Sequence, residues 1–118
     1  GNESITNGLI KIDKANNNLI TNNLFESNLT NYRYAIFNET PDNIDNNRIL
    51  NNAFANFSQS AIRINNTNIV SKWVIKGNSF YRTTGITPTS STPHHIIQMY
   101  RCGKIEIDSN YFGGASLN

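Results

Sequence analysis

One six-residue pattern of apolar and polar positions, Ile-x-x-Asn-x-Phe, recurs along the chain. It occupies four segments, 20–25, 49–54, 75–80 and 107–112. The asparagines of successive copies lie 29, 26 and 32 residues apart. A period of roughly 20 to 50 residues is the signature of a repeat architecture, so the pattern predicts a stacked, repetitive fold.

A second apolar element precedes each copy of the pattern and keeps the same order every time. Its four occurrences are Leu9–Ile12, Ala35–Asn38, Ala61–Ile64 and Ile96–Met99. Isoleucine, phenylalanine, tyrosine and threonine favour strands, and no copy shows the period of about 3.6 residues that an amphipathic helix requires. Each repeat therefore predicts at least two short strands separated by turns.

A unit this short cannot bury its own apolar face and is expected to stack on its neighbours. Strands wound in successive turns of the chain pair in parallel, about 4.8 Å apart. The sequence therefore predicts an all-β solenoid, a parallel β-helix of about four coils.

Asparagine, phenylalanine and isoleucine are expected to form three columns across the coils. A buried backbone group that loses its sheet partner at a corner needs another one, and the asparagine amide supplies both a donor and an acceptor. Stacked asparagines also bond to one another. The predicted columns are an asparagine ladder of Asn23, Asn52, Asn78 and Asn110, a stack of Phe25, Phe54, Phe80 and Phe112, and a row of Ile20, Ile49, Ile75 and Ile107.

Two interruptions of the pattern predict loops. The longer one runs from Thr83 to Pro93 and is rich in Thr, Ser, Pro and Gly, and a smaller one runs from Glu39 to Asp45. Such composition is typical of loops. Long loops on a rigid scaffold often carry function, so both are candidate functional segments.

Composition narrows the functional classes. The chain has 22 asparagines and a net charge of +2, which is too weakly basic to indicate a nucleic-acid-binding face. No apolar run approaches the ~18 residues of a membrane span. The single cysteine, Cys102, excludes an internal disulfide, and His94 and His95 lack companion ligands at zinc spacing, so no metal site is predicted.

The repeated pattern with its preceding Ile-rich strand resembles the right-handed parallel β-helix superfamily, the pectin-lyase-like fold, over 9–112. Segment 107–114 is also similar to repeats of large secreted Bacteroidetes surface proteins. The resemblance implies a right-handed solenoid and a secreted or cell-surface location. It further implies a relation to polysaccharide lyases, glycoside hydrolases, phage tailspikes or bacterial surface proteins. Lyases of this fold use Arg or Lys as the catalytic base, often with Ca²⁺.

Outward strand positions supply the first candidate site residues. On the first strand column these positions are Lys11, Phe37, Arg63 and Gln98, and on the second column Lys76 and Asp108 are expected to be neighbours. Arg63 can bind a carboxylate with two parallel hydrogen bonds, and the resemblance makes Arg63 and Lys76 the candidates for a catalytic base. The alternative for Arg63 is an ordinary solvated strand face, and the alternative for Lys76 with Asp108 is a surface ion pair.

Tyrosine and arginine also occur side by side, at Tyr81-Arg82, at Tyr100-Arg101 and in the cluster Tyr32-Arg33-Tyr34. Aromatic faces stack on sugar rings, and arginine binds their hydroxyls or carboxylates. The alternative is amphipathic packing in which the arginines extend to solvent. The predicted substrate-binding residues are Arg63, Phe37, Tyr81, Arg82, Tyr100 and Arg101.

Three functions stay open at this point. The first is a secreted or cell-surface module, structural or glycan-binding, without a complete catalytic site of its own. The second is part of a polysaccharide lyase or glycoside hydrolase acting on acidic polysaccharide, with Ca²⁺ as its only candidate cofactor. The third is an assembly element that self-associates through uncapped coil ends. In each case residues 1–118 are expected to form one domain of a longer solenoid, with no nucleic-acid partner and no membrane insertion.

Overall fold

The computed structural model describes residues 8–27, 33–38, 45–57, 59–65, 71–83 and 95–113, and these residues are all-β. They contain no helix, and thus none long and apolar enough to cross a bilayer. The strands, in chain order, are β1 (Gly8–Lys11), β2 (Leu19–Thr21), β3 (Leu24–Glu26), β4 (Tyr34–Asn38), β5 (Asn47–Leu50), β6 (Ala53–Ala55), β7 (Ser60–Asn65), β8 (Lys72–Lys76), β9 (Ser79–Tyr81), β10 (Ile97–Tyr100), β11 (Lys104–Asp108) and β12 (Tyr111–Phe112). The predicted all-β class is confirmed.

The strands of the described residues form three parallel sheets, and each sheet takes every third strand. The first sheet has the order β1-β4-β7-β10, the second β2-β5-β8-β11 and the third β3-β6-β9-β12. The chain therefore visits all three sheets before it returns to the first, one strand further along. This connectivity is compatible with a parallel β-helix.

Equivalent residues of the repeat are in register across each sheet. Ile20, Ile49, Ile75 and Ile107 pair in succession across the second sheet. Ile10, Ile36, Ile62 and Ile97 do so across the first. Because side chains alternate between the two faces of a strand, aligning one residue per strand aligns the whole apolar face.

The phenylalanines of the third sheet stack ring on ring. Successive centroids from Phe25 to Phe112 lie 5.0, 4.9 and 5.2 Å apart, and the ring planes differ by at most 10°. Phe54 is 1% exposed, whereas Phe112 on the last strand is 50% exposed. Complete burial of such a side chain contributes about 1.5–3 kcal/mol, so the inner rings stabilise the fold more than the last one.

The corner between the second and third sheets repeats one backbone conformation. The residue before each repeat asparagine has a positive φ: 58° at Asn22, 55° at Asn51, 67° at Gly77 and 54° at Ser109. Asparagine and glycine tolerate this region best. The turn therefore needs only two residues, a left-handed one followed by the asparagine.

The asparagines that follow these turns are joined in one repeated way. The backbone N–H and side-chain amide of Asn23 both donate to Oδ1 of Asn52, at 3.0 and 3.1 Å, and Asn52 Nδ2 donates to the Ile20 carbonyl at 2.9 Å. The same three bonds link Asn52 to Asn78 and Asn78 to Asn110. Each amide thus satisfies backbone groups that the corner removes from the sheets.

A second, shorter set of asparagines lies at the corner before the second sheet. Asn47 Oδ1 accepts hydrogen bonds from the backbone N–H and side-chain amide of Asn18, at 3.0 and 2.8 Å. Asn46 Nδ2 donates to Asn17 Oδ1 at 2.7 Å. On the next strand the position of Asn47 is taken by Trp73, which is fully buried, so an indole replaces the amide there.

Candidate functional site

Arg63 lies on the outer face of the first sheet, in the middle of β7. It is in register with Phe37 on one side and Gln98 on the other. Its chain neighbours Ile62 and Ile64 are completely buried in the core. Since side chains alternate along a strand, this burial directs the arginine away from the core.

Tyr34 fixes the position of the Arg63 guanidinium. Arg63 Nη1 donates a hydrogen bond to Tyr34 Oη at 2.7 Å, and Tyr34 Oη donates to Gln59 Oε1 at 2.7 Å. Tyr34 is only 3% exposed and does not belong to the apolar core cluster. The guanidinium is therefore held by a buried hydroxyl rather than moving freely in solvent.

A second tyrosine lies near the same guanidinium. Arg63 Cζ is 5.1 Å from the ring centroid of Tyr34 and 6.0 Å from that of Tyr100, both within the range of cation–π attraction. Tyr100 is exposed, and its hydroxyl accepts a hydrogen bond from Gln98 Nε2 at 2.8 Å. We call Tyr34, Arg63, Gln98 and Tyr100 the arginine platform.

Phe37 supports this platform and presents little surface of its own. Its ring is buried and lies 6.2 Å from the Tyr34 ring, tilted by 36°. On the other side it packs on the backbone of Gly8, where a Cβ atom would come within 2.7 Å of the ring. Phe37 therefore packs behind Tyr34, and its ring offers little contact area for a ligand.

Lys76 lies on the second sheet and pairs with an acid on the adjacent strand. Its Nζ is 3.1 Å from Asp108 Oδ2, and the two residues are in register. The hydrogen bond and charge of Asp108 raise the pKa of Lys76, and the hydrogen bond from Lys76 lowers the pKa of Asp108. A general base needs an unprotonated amine near neutral pH, so these directions favour the ion pair over a catalytic role.

Tyr81 and Arg82 lie away from the platform, at the corner where the third sheet ends and the first begins. Together with His95 they line the mouth of a cavity of about 100 Å³. Buried apolar side chains, including Phe54, Phe57 and Ala61, form its floor. Arg101 follows β10 in an exposed turn with a φ of 49° and does not line the cavity.

Other predicted features are partly or wholly outside the described residues. His94, Tyr32 and nearly all of both predicted loops fall there. Within the described residues, no group of three or more His, Cys, Asp or Glu side chains is arranged to hold a metal ion. Cys102 is half-buried, and this burial raises the pKa of its thiol.

The structure thus divides five of the six predicted binding residues between two places and leaves Arg101 outside both. Arg63 and Tyr100 share the platform with Phe37 behind it, while Tyr81 and Arg82 line the cavity. The sequence interpretation missed the link from Tyr34 to Gln59; its only signal was an aromatic residue on the strand before that of Arg63. Comparisons of the chain with protein-family models, with curated proteins and with solved structures found no match.

Proposed function

We propose that this chain is a right-handed parallel β-helix of four coils that serves as a secreted or cell-surface module and binds polysaccharide on the arginine platform. The solenoid is supported by parallel pairing of every third strand. Its asparagine ladder and phenylalanine stack are supported by the repeated amide bonds and by ring separations near 5 Å. The kinship with pectin-lyase-like proteins rests on the repeat pattern alone.

The observation that carries the binding proposal is the guanidinium of Arg63 held beside two tyrosine rings. Aromatic faces provide sugar-stacking surfaces, and the exposed Tyr100 ring is available for this contact. The guanidinium adds charge-assisted hydrogen bonds, which are strongest to carboxylates. Because Tyr34 orients it before binding, less side-chain entropy is lost when a ligand is bound.

This chemistry fits an acidic polysaccharide better than a neutral one. Arginine matches the planar geometry of a uronate carboxylate, and a lysine would not. Parallel strands present a ridged face whose rows are about 4.8 Å apart, along which an extended sugar chain has several contacts. The proposed role is binding without catalysis, because the two candidate bases are not brought together: Arg63 lies on the first sheet, whereas Lys76 lies on the second and is paired with Asp108.

The test is retardation of the purified chain in native gels containing polygalacturonate, alginate or a neutral glucan. We expect retardation by an acidic polymer, lost in Arg63→Gln and reduced in Tyr100→Ala, with Lys76→Gln as the control on the second sheet. Thermal unfolding of each variant checks that the fold is retained. Failure of all three polymers to retard the chain would refute glycan binding.

The same preparations discriminate the lyase alternative. Lyase action releases products with an unsaturated uronate that absorbs in the ultraviolet, whereas a binding module produces none. Ultraviolet absorbance that rises with time and disappears in Arg63→Gln would replace the binding proposal with catalysis.

A further inference from the structure

The cavity at the corner between the third and first sheets lies apart from the arginine platform. Its floor is formed by the buried side chains of Phe54, Phe57, Ala61 and Phe80, and the exposed Ile96 adds apolar surface at the mouth. A buried polar group without a hydrogen-bond partner is costly. A sugar or phosphate group would therefore be disfavoured on this floor, and an apolar group favoured.

Phe54 and Phe80 present their ring edges to the cavity. Phe54 is stacked between Phe25 and Phe80, and Phe80 is stacked between Phe54 and Phe112, so both faces of each ring are covered. Ring edges carry partial positive charge and prefer the face of another aromatic ring. The floor is therefore suited to an aromatic ring in edge-to-face contact.

The size of the cavity fits part of one ring. A closed apolar cavity of about 150 Å³ in another protein accommodates benzene. The present cavity is about 100 Å³ and is not fully enclosed, and Tyr81, Arg82 and His95 are partly or fully exposed residues of its lining. A six-membered ring would thus enter partway and leave its substituent at the mouth.

The described residues at the mouth of the cavity include a positively charged side chain. Arg82 is the arginine among the described residues that line the cavity, and no Asp or Glu of the described residues lines it. Arginine binds carboxylates with two parallel, charge-assisted hydrogen bonds. The substituent favoured at this position is therefore a carboxylate.

The walls are fixed by hydrogen bonds. The Asn56 side chain donates to Thr83 Oγ1 at 2.8 Å and accepts from the Thr83 N–H at 2.9 Å. The N–H of His95 donates to the Gln59 carbonyl at 2.9 Å, and that of Gly113 to the Phe80 carbonyl at 3.0 Å. A preformed cavity loses less entropy on binding than one that must be ordered.

We propose that this cavity binds a small aromatic carboxylate, with the ring against the edges of Phe54 and Phe80 and the carboxylate on Arg82. This site is separate from the polysaccharide platform. Benzoate is the probe, cyclohexanecarboxylate is the control without an aromatic face, and benzyl alcohol is the control without charge.

The experiment is a titration of the ¹⁵N-labelled chain followed by amide NMR shifts. Benzoate is expected to give saturable shifts at Ala61, His95 and Gly113. Cyclohexanecarboxylate lacks the edge-to-face contact and should bind about 2- to 12-fold more weakly than benzoate. Benzyl alcohol lacks the charge and should bind roughly tenfold more weakly than benzoate. Equal affinities for the three probes, or no saturable shift, would overturn the proposal.

Variants test the two contacts separately. Arg82→Gln should reduce benzoate affinity to that of benzyl alcohol, whereas the matched Arg101→Gln should leave it unchanged. Ile96→Trp, at an exposed position of the mouth, should block all three probes. Arg63→Gln and Tyr100→Ala should leave benzoate binding in the cavity unchanged, so a failure of this site can be told apart from a failure of the platform. Benzoate shifts that disappear in Arg63→Gln would assign the binding to the platform instead.

Discussion

Asn78 Oδ1 accepts hydrogen bonds from both the backbone N–H and the side-chain amide of Asn52, at 2.9 and 3.1 Å. The Asn78 amide donates in turn to the Ile49 carbonyl at 2.9 Å and to Asn110 Oδ1 at 3.0 Å. Asn78 is 1% exposed. Water therefore cannot replace a lost partner at any of these atoms, and the loss lowers the free energy of unfolding.

Asn78→Asp keeps the shape of the side chain and removes both of its donors. The new carboxylate would face two oxygens, so we expect the free energy of unfolding at neutral pH to fall by about 3 kcal/mol or more. Urea denaturation measures the change. Because burial favours the protonated acid, the loss should shrink as the pH is lowered.

The matched control is Asn23→Asp, which removes the same donors at the exposed end of the same column. Water can solvate that carboxylate, so the loss of stability there should be less than half that of Asn78→Asp. Equal losses at both positions would show that burial of the amide is not what matters.

The stacked rings predict a difference between the centre and the end of the third sheet. Phe54→Ala should lower the free energy of unfolding by about 3–5 kcal/mol, since it opens a cavity in a buried stack. Phe112→Ala should cost about 1–2 kcal/mol, because half of that ring is already in water and only the buried part contributes. Denaturation curves of the two variants check the ranking, and a larger loss for Phe112→Ala would contradict it.

Gly77 has a φ of 67°, and a Cβ atom at this position would collide with Oδ1 of Asn51 in the turn of the neighbouring strand. Gly77→Ala should therefore destabilise by about 1–2 kcal/mol from backbone strain, plus the cost of the collision. Asn51→Gly in the same chain removes the colliding atom. The double variant should accordingly lose less stability than the sum of the two single ones, and simple additivity in a double-mutant cycle would exclude the contact.

The exposed pair of Lys76 and Asp108 predicts a measurable titration. Asp108 has a lowered pKa in the folded state, so its contribution to stability is present above the unfolded pKa and is lost as the pH falls through the folded value. Lys76 has a raised pKa, so its contribution is present below the unfolded pKa and lost as the pH rises through the folded value.

Carboxyl NMR provides the measurement for this pair. The pKa of Asp108 should rise toward its ordinary value in Lys76→Met, and high salt should produce part of the same change in the unaltered chain because exposed charges are screened. An Asp108 pKa that is the same in Lys76→Met and in the unaltered chain would show that the pair does not form in solution.

The all-β class and the parallel stacking could be predicted because the fold depends on residues that repeat at corresponding positions. Ile49 and Ile75 occupy the same place in successive copies, and they are in register in the structure. The amide set at Asn18 and Asn47 was harder to detect, since the next equivalent position is Trp73 and the pattern stops after two copies.

The candidate site was less accessible to sequence reasoning, because it depends on which corner each residue occupies. Arg63 and Arg82 have the same chemistry, and the amino-acid sequence does not show that Arg63 lies on a sheet face and Arg82 at the mouth of a cavity. The sequence groups Tyr34 with its chain neighbours Tyr32 and Arg33, but in the structure it is the first residue of β4 and binds Arg63, 29 residues away. Such contacts arise between strands that are far apart in the sequence, where no local pattern indicates them.

The asparagine corners have the same bonds although the stretches of chain between them differ in length. Successive asparagines are separated by 29, 26 and 32 residues, and each link has nearly the same donor–acceptor distance. Connecting stretches of different length are therefore compatible with one register of the strands. The stretches between the asparagines can therefore differ from one repeat to the next in length and in side chains, while the corner keeps one geometry.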